Sequence, residues 1–117
     1  MDLPLKLQLA AQQRLVLVDA PEALAAELAP RTAEQLEEPG ALLVFVADAA
    51  ALQRHRTRIV RSVAEDRLTW VAYPKAGKLG TDLNRDRLAA LLTTDPVRPV
   101  RQVALDEVWS ALRFRPA

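Results

Sequence analysis

The chain has 117 residues, of which 50% are hydrophobic by a wide definition and 26% charged, with a formal net charge of +1. That composition describes one soluble globular domain over 1–117, and it excludes wholesale disorder and gives no electrostatic case for nucleic acid or an anionic membrane. Cysteine is absent and histidine occurs once, as His55, which removes disulfides, thiolate chemistry and multi-histidine metal sites.

No basic, apolar leader opens the chain, and no apolar run approaches the ~18 to 20 residues of a membrane span, so a cytoplasmic location is expected. Residues 3–13 are ambiguous. Alternation of Leu3, Leu5, Leu7 and Leu9 suits a strand, whereas Leu5 and Leu9 at helical spacing after Pro4 suit a short helix. This lead-in is read as a short helix or an extended segment. Residues 14–19 (RLVLVD) read as a buried parallel strand, and Asp19-Ala-Pro-Glu22 as a helix start, with Leu24 and Leu28 on the inward face. Residues 31–40 are weakly patterned and fit either a short edge strand or a helical turn, ended by Pro39-Gly40.

Residues 41–47 (ALLVFVA) are the clearest strand, and Asp48 stands at the N-cap of a helix to about residue 66 that buries Leu52, Ile59, Val60 and Val63. Residues 68–73 (LTWVAY) form the third strand, stopped by Pro74. A loop with two lysines and two glycines follows, and Thr81 or Asp82 is expected to cap a helix burying Leu83, Leu88, Leu91 and Leu92 to about residue 94. Residues 100–105 form a fourth core strand, Asp106-Glu107 a turn, and residues 108–115 a returning antiparallel strand. Alternating strands and helices predict an α/β fold: a three-layer Rossmann-like sandwich, mostly parallel, with a C-terminal antiparallel hairpin.

Ligands of open α/β sheets bind outside the carboxyl ends of the strands, here the loops after Val18, Ala47, Tyr73 and Leu105. The first loop has no glycine where a dinucleotide or methyl donor would need close backbone approach, and no Gly-Lys-Ser/Thr triplet exists. No cofactor and no metal is implied. The third loop offers Lys75, Lys78, Thr81 and Asp82 around Gly77 and Gly80. Free amides, a helix start and two lysines suit an anion, while an ordinary turn with solvated lysines fits the same residues. The fourth offers Asp106, Glu107, Trp109 and Ser110. Lys75 facing Asp106 or Glu107 would make either a shallow polar pocket beside Trp109 or a structural ion pair over a core tryptophan.

His55 reads as a boundary residue of its helix. Arg54, Arg58 and Arg61 read as a solvated stripe in preference to a contact for an acidic partner or RNA. Ser62 and Ser110 lack a nucleophile-elbow context.

The runs Pro4-Leu-Lys6, RLVLVDAPE (14–22) and Leu43-Val-Phe-Val46, then LTWVAYPK (68–75), Thr81-Asp-Leu83 and VALDEVWSALRF (103–114), resemble an uncharacterised family of small bacterial proteins, a domain of unknown function. The resemblance spans nearly the whole chain and departs at residues 10–13, where the family pattern has a glycine. It implies an α/β sheet ordered like the later half of a methyltransferase, and it implies no activity. The positions it matches are Lys75, Thr81, Asp82, Asp106, Trp109, Ser110 and Arg113. The expected function is a non-enzymatic binding or regulatory module whose site is the edge formed by loops 75–82 and 106–110, for a partner protein or small anion. The alternatives are a small enzyme using Lys75 with Asp106 or Glu107 as acid–base groups, and a homodimer formed through an exposed strand.

Overall fold

A computed structural model describes residues 2–35 and 40–117. Among the described residues five strands form one sheet: β1 (Arg14–Val18), β2 (Gly40–Phe45), β3 (Leu68–Pro74), β4 (Val97–Ala104) and β5 (Trp109–Pro116). Their spatial order is β1-β2-β3-β5-β4, parallel from β1 to β3 and antiparallel where β5 meets β3 and β4. The fold is therefore α/β with a mixed sheet.

The expected positions of the last two strands are exchanged. Residues 97–104 are the outer strand and the terminal strand lies inside it. Side-chain chemistry explains this. β5 is apolar on both faces, with Trp109 and Ala111 on one and Leu112 and Phe114 on the other, all buried. β4 carries Arg98, Pro99, Arg101 and Gln102 and is mostly exposed, as an edge strand with a backbone irregularity between Pro99 and Arg101 tolerates. Because β5 reverses twice, β4 still points the same way as β3, and the carboxyl ends of β1 to β4 share one edge.

Among the described residues four α-helices cover the sheet: α1 (Leu3–Lys6), α2 (Glu22–Leu28), α3 (Ala49–Ala64) and α4 (Arg85–Leu92). The helices α1 and α2 pack with Leu15, Leu43, Phe45 and Trp70 on one face. The helices α3 and α4 pack with Val44, Val71, Leu112 and Phe114 on the other. The lead-in is the helix of the two alternatives, but its buried leucines are Leu3 and Leu7, whereas Leu5 is 68% exposed. Trp70 decides this face, since its buried indole Nε1–H donates to the Leu7 carbonyl at 2.9 Å.

Asp48 caps α3 as expected, its carboxylate accepting the Ala51 N–H at 2.8 Å. Leu52, Ile59 and Val63 are fully buried, Leu91 is half-buried against the same core, and Val60 is only half-buried. The cap of α4 is neither Thr81 nor Asp82. The helix starts later, at Arg85, and Asn84 accepts the Arg87 N–H at 2.8 Å. Residues 31–35 hold the end of a helical turn and a single parallel bridge from Thr32 to Leu15 on the outer side of β1. The Pro39 half of the expected Pro39-Gly40 stop lies outside the described residues, and Gly40 itself opens β2.

Candidate functional site

The loops after β3 and β4 meet at the carboxyl edge. The Lys75 N–H donates to the Val108 carbonyl at 2.7 Å, tying the start of one loop to the end of the other. Asp106 has a local structural task. One of its carboxylate oxygens accepts the N–H groups of Val108 and Trp109 at 2.8 and 2.7 Å, closing the β4–β5 turn. Trp109 is 8% exposed and meets Phe45 edge to face, with ring centroids 5.1 Å apart. It is a core residue of the α1 side.

The ion pair expected between Lys75 and Asp106 or Glu107 does not form. Among the described residues neither Lys75 nor Lys78 lies within ion-pair distance of a carboxylate. Lys75 is half-buried, and Lys78 and Glu107 are exposed.

Loop 75–84 is shaped by its backbone. Gly77, Leu79 and Gly80 all have left-handed φ angles, of 80°, 53° and 64°. Glycine takes that conformation freely, but a leucine side chain is strained there. Leu79 is nevertheless 65% exposed, so packing against the described residues does little to offset the strain. Two side chains hold the loop in place: the Thr81 hydroxyl accepts the Leu83 N–H at 3.0 Å, and the Asp82 carboxylate accepts the Ala49 N–H of α3 at 2.9 Å. Asp82 therefore satisfies a free donor in the first turn of α3, beside the cap supplied by Asp48.

Ser110 turns to the other face. It lies opposite Tyr73 across β3 and β5 and is almost fully buried. The Tyr73 hydroxyl accepts a hydrogen bond from Gln102 Nε2 at 2.9 Å. Burial pushes the Tyr73 pKa up, and Asp86 adds to this, while Arg85 and a hydrogen bond from Ser110 act in the other direction. Arg113 is not brought to the carboxyl edge. It stands four residues beyond Trp109, about 13 Å along an extended strand, where its guanidinium Nη1 donates to Gln8 Oε1 at 2.8 Å.

One juxtaposition was invisible in the sequence. His55 Nε2 is 2.8 Å from Asp19 Oδ2, linking α3 to the end of β1 across 36 positions. Asp19 has a left-handed φ of 59°, a conformation that Asp tolerates better than most residues. The pair lies where the chain changes direction across the sheet, between the outward path to Thr32 and the inward path to β2. Only a residue pattern around Asp19-Ala-Pro could have signalled it, and an acid 36 residues from a histidine carries no local period.

The Arg54, Arg58 and Arg61 stripe makes no ion pair among the described residues and lines an open cleft of about 430 Å³ with Thr57, Ser62 and Glu65. No group of three or more His, Asp or Glu side chains among the described residues is placed to hold a metal ion. No helix of the described residues is long and apolar enough to cross a membrane. Compared with protein-family models, curated proteins and solved structures, the chain matches none.

Proposed function

We propose that this chain is a non-enzymatic interaction module on a Rossmann-like three-layer sandwich, working in the cytoplasm and docking a partner protein with loops 75–82 and 106–110. The carrying observation is Leu79, an exposed apolar side chain held in a strained left-handed conformation on a loop pinned at both ends. Strain that internal packing does not offset is a mark of functional positions. Lys75 and Lys78 flank the leucine and, having no carboxylate partner among the described residues, are available to acidic groups around an apolar contact.

The small-anion version of this reading has less support. The helix start that would attract an anion lies four residues past Thr81, and the Asp82 carboxylate already occupies the nearby first turn of α3. An acid–base role for Lys75 and Asp106 is weakened because two backbone donors use the Asp106 carboxylate. Strand-to-strand dimerisation through β4 meets Pro99, Arg98 and Arg101 on the open edge, which resist pairing.

A photo-crosslinking amino acid at position 79, introduced in living cells, tests the reading. Leu5, 68% exposed on α1 and outside both loops, serves as the control position. One discrete protein adduct from position 79, absent from position 5 and lost with Lys75→Glu, is the expected result. Indistinguishable adducts from both positions overturn it.

A further inference from the structure

The β4–β5 hairpin carries four arginines on one side. Its register sets Arg98 opposite Arg115 and Arg101 opposite Arg113. Directly opposed residues project to the same face of a sheet. That face is the α1 side, because Trp109 and Ala111 alternate with Arg113 along β5 and belong to that core, while Leu112 and Phe114 belong to the other.

Like charges directly opposed across two strands destabilise a sheet, and here the arrangement occurs twice on one hairpin. No carboxylate lies within ion-pair distance of any of the four among the described residues. Arg98 Nε donates to the Pro116 carbonyl at 3.3 Å and Arg113 Nη1 to Gln8, both neutral acceptors. Arg113 Nε is buried and has no hydrogen-bond partner, a costly state for a guanidinium donor. Burial first, and then Arg115, lower the Arg113 pKa, with Arg101 adding to them and Asp66 opposing.

We propose that this hairpin face binds a ligand carrying two phosphoryl groups, one over each arginine pair. Arginine's planar fork donates two parallel hydrogen bonds to a phosphate, which the ammonium of lysine cannot do. Arg113 and Arg115 are two residues apart, so the pairs stand about 7 Å apart along the strands. A phosphoryl group over each pair would cancel the mutual repulsion of its arginines. The same spacing fits a small bisphosphate and two successive phosphates of a phosphodiester chain. The small ligand is favoured, because no aromatic side chain is exposed to stack a base and the net charge is only +1. The site sits at the end of β5 away from Leu79 and is independent of the docking loop.

Thermal melting of the full chain at constant ionic strength tests it, with a hexose bisphosphate, inorganic phosphate and a thymidine oligonucleotide as separate probes. The bisphosphate at a concentration several times its dissociation constant should raise the melting temperature by about 4 °C or more. Arg101→Gln and Arg115→Gln should each abolish that rise while the unliganded variants melt no lower than the parent, since each removes a repulsion. Leu79→Ala should keep the full response. A rise with the oligonucleotide alone retains the paired-phosphate site and assigns it to a phosphodiester chain. No rise with either probe, an equal rise with inorganic phosphate, or an undiminished rise in both glutamine variants overturns the proposal.

Discussion

Tyr73 shows how one buried polar group couples the sheet to pH. The residue is 2% exposed, and its hydroxyl accepts a hydrogen bond from Gln102 of β4. Burial favours the neutral phenol, so the folded pKa lies above the ordinary 10.0. Below that ordinary value both states keep the proton, and the stability is fully present. Above it the unfolded chain ionises first, so stability falls as pH rises toward the folded pKa. Tyr73 is the only tyrosine, so tyrosinate absorbance reads its titration directly. The native midpoint should lie above that of the urea-unfolded chain. Tyr73→Phe should cost about 1 kcal/mol near neutrality through the lost Gln102 bond, and should flatten the decline above pH ~10. Equal folded and unfolded midpoints would contradict the assigned burial.

At the scale of elements, two acidic side chains hold one helix start. Asp48 accepts the Ala51 N–H and Asp82 the Ala49 N–H, so α3 begins with donors satisfied from its own cap and from a loop 33 residues away. Asp48→Ala should cost about 1 kcal/mol as an ordinary cap loss. Asp82→Ala should cost a similar amount and also release loop 75–84 from α3, which hydrogen exchange at the amides of Lys78 to Leu83 would report as faster exchange. Unchanged exchange there would mean that Thr81 and the two glycines alone shape the loop. The cap at Asp48 was legible, because an acid directly before an apolar helical period is a local signal. The cap at Asn84 was not. The local pattern points to Thr81 or Asp82, and the tertiary use of Asp82 by α3 leaves the cap to Asn84, three residues past Thr81. Strands β1, β2 and β3 were legible for the same reason as Asp48, as apolar runs bounded by turn residues. The strand order was not, because pairing β5 with β3 depends on which of two alternating strands is apolar on both faces. The carboxyl-edge loops did come together, but Arg113 and the Asp19–His55 pair depend on distance along a strand and on long-range contact, which local patterns do not encode.

Across the whole molecule, residues 2–9 act as a clamp over the α1 face. The Lys6 ammonium donates to the Ala104 carbonyl at 2.7 Å, the Leu7 carbonyl accepts the Trp70 indole N–H, and Gln8 accepts from Arg113. These contacts reach β3, β4 and β5 from the opposite end of the chain, so the sheet's C-terminal half is completed by its first few residues. A four-residue helix is too short to be stable alone, and burial of Leu3 and Leu7 against the sheet must hold it. Leu7 is fully buried beside Trp70. Leu7→Ala keeps the backbone carbonyl but opens a cavity under the indole, and it should cost about 2–5 kcal/mol. Leu5→Ala, one turn position away and exposed, should stay within about 0.5 kcal/mol. Only two tryptophans report, Trp70 and Trp109, and both lie in this core. The Leu7 variant should therefore shift native emission to longer wavelength as water reaches the ring, and the Leu5 variant should not. Equal stability losses at the two leucines, with unchanged emission, would show that the lead-in rests on the sheet without completing it.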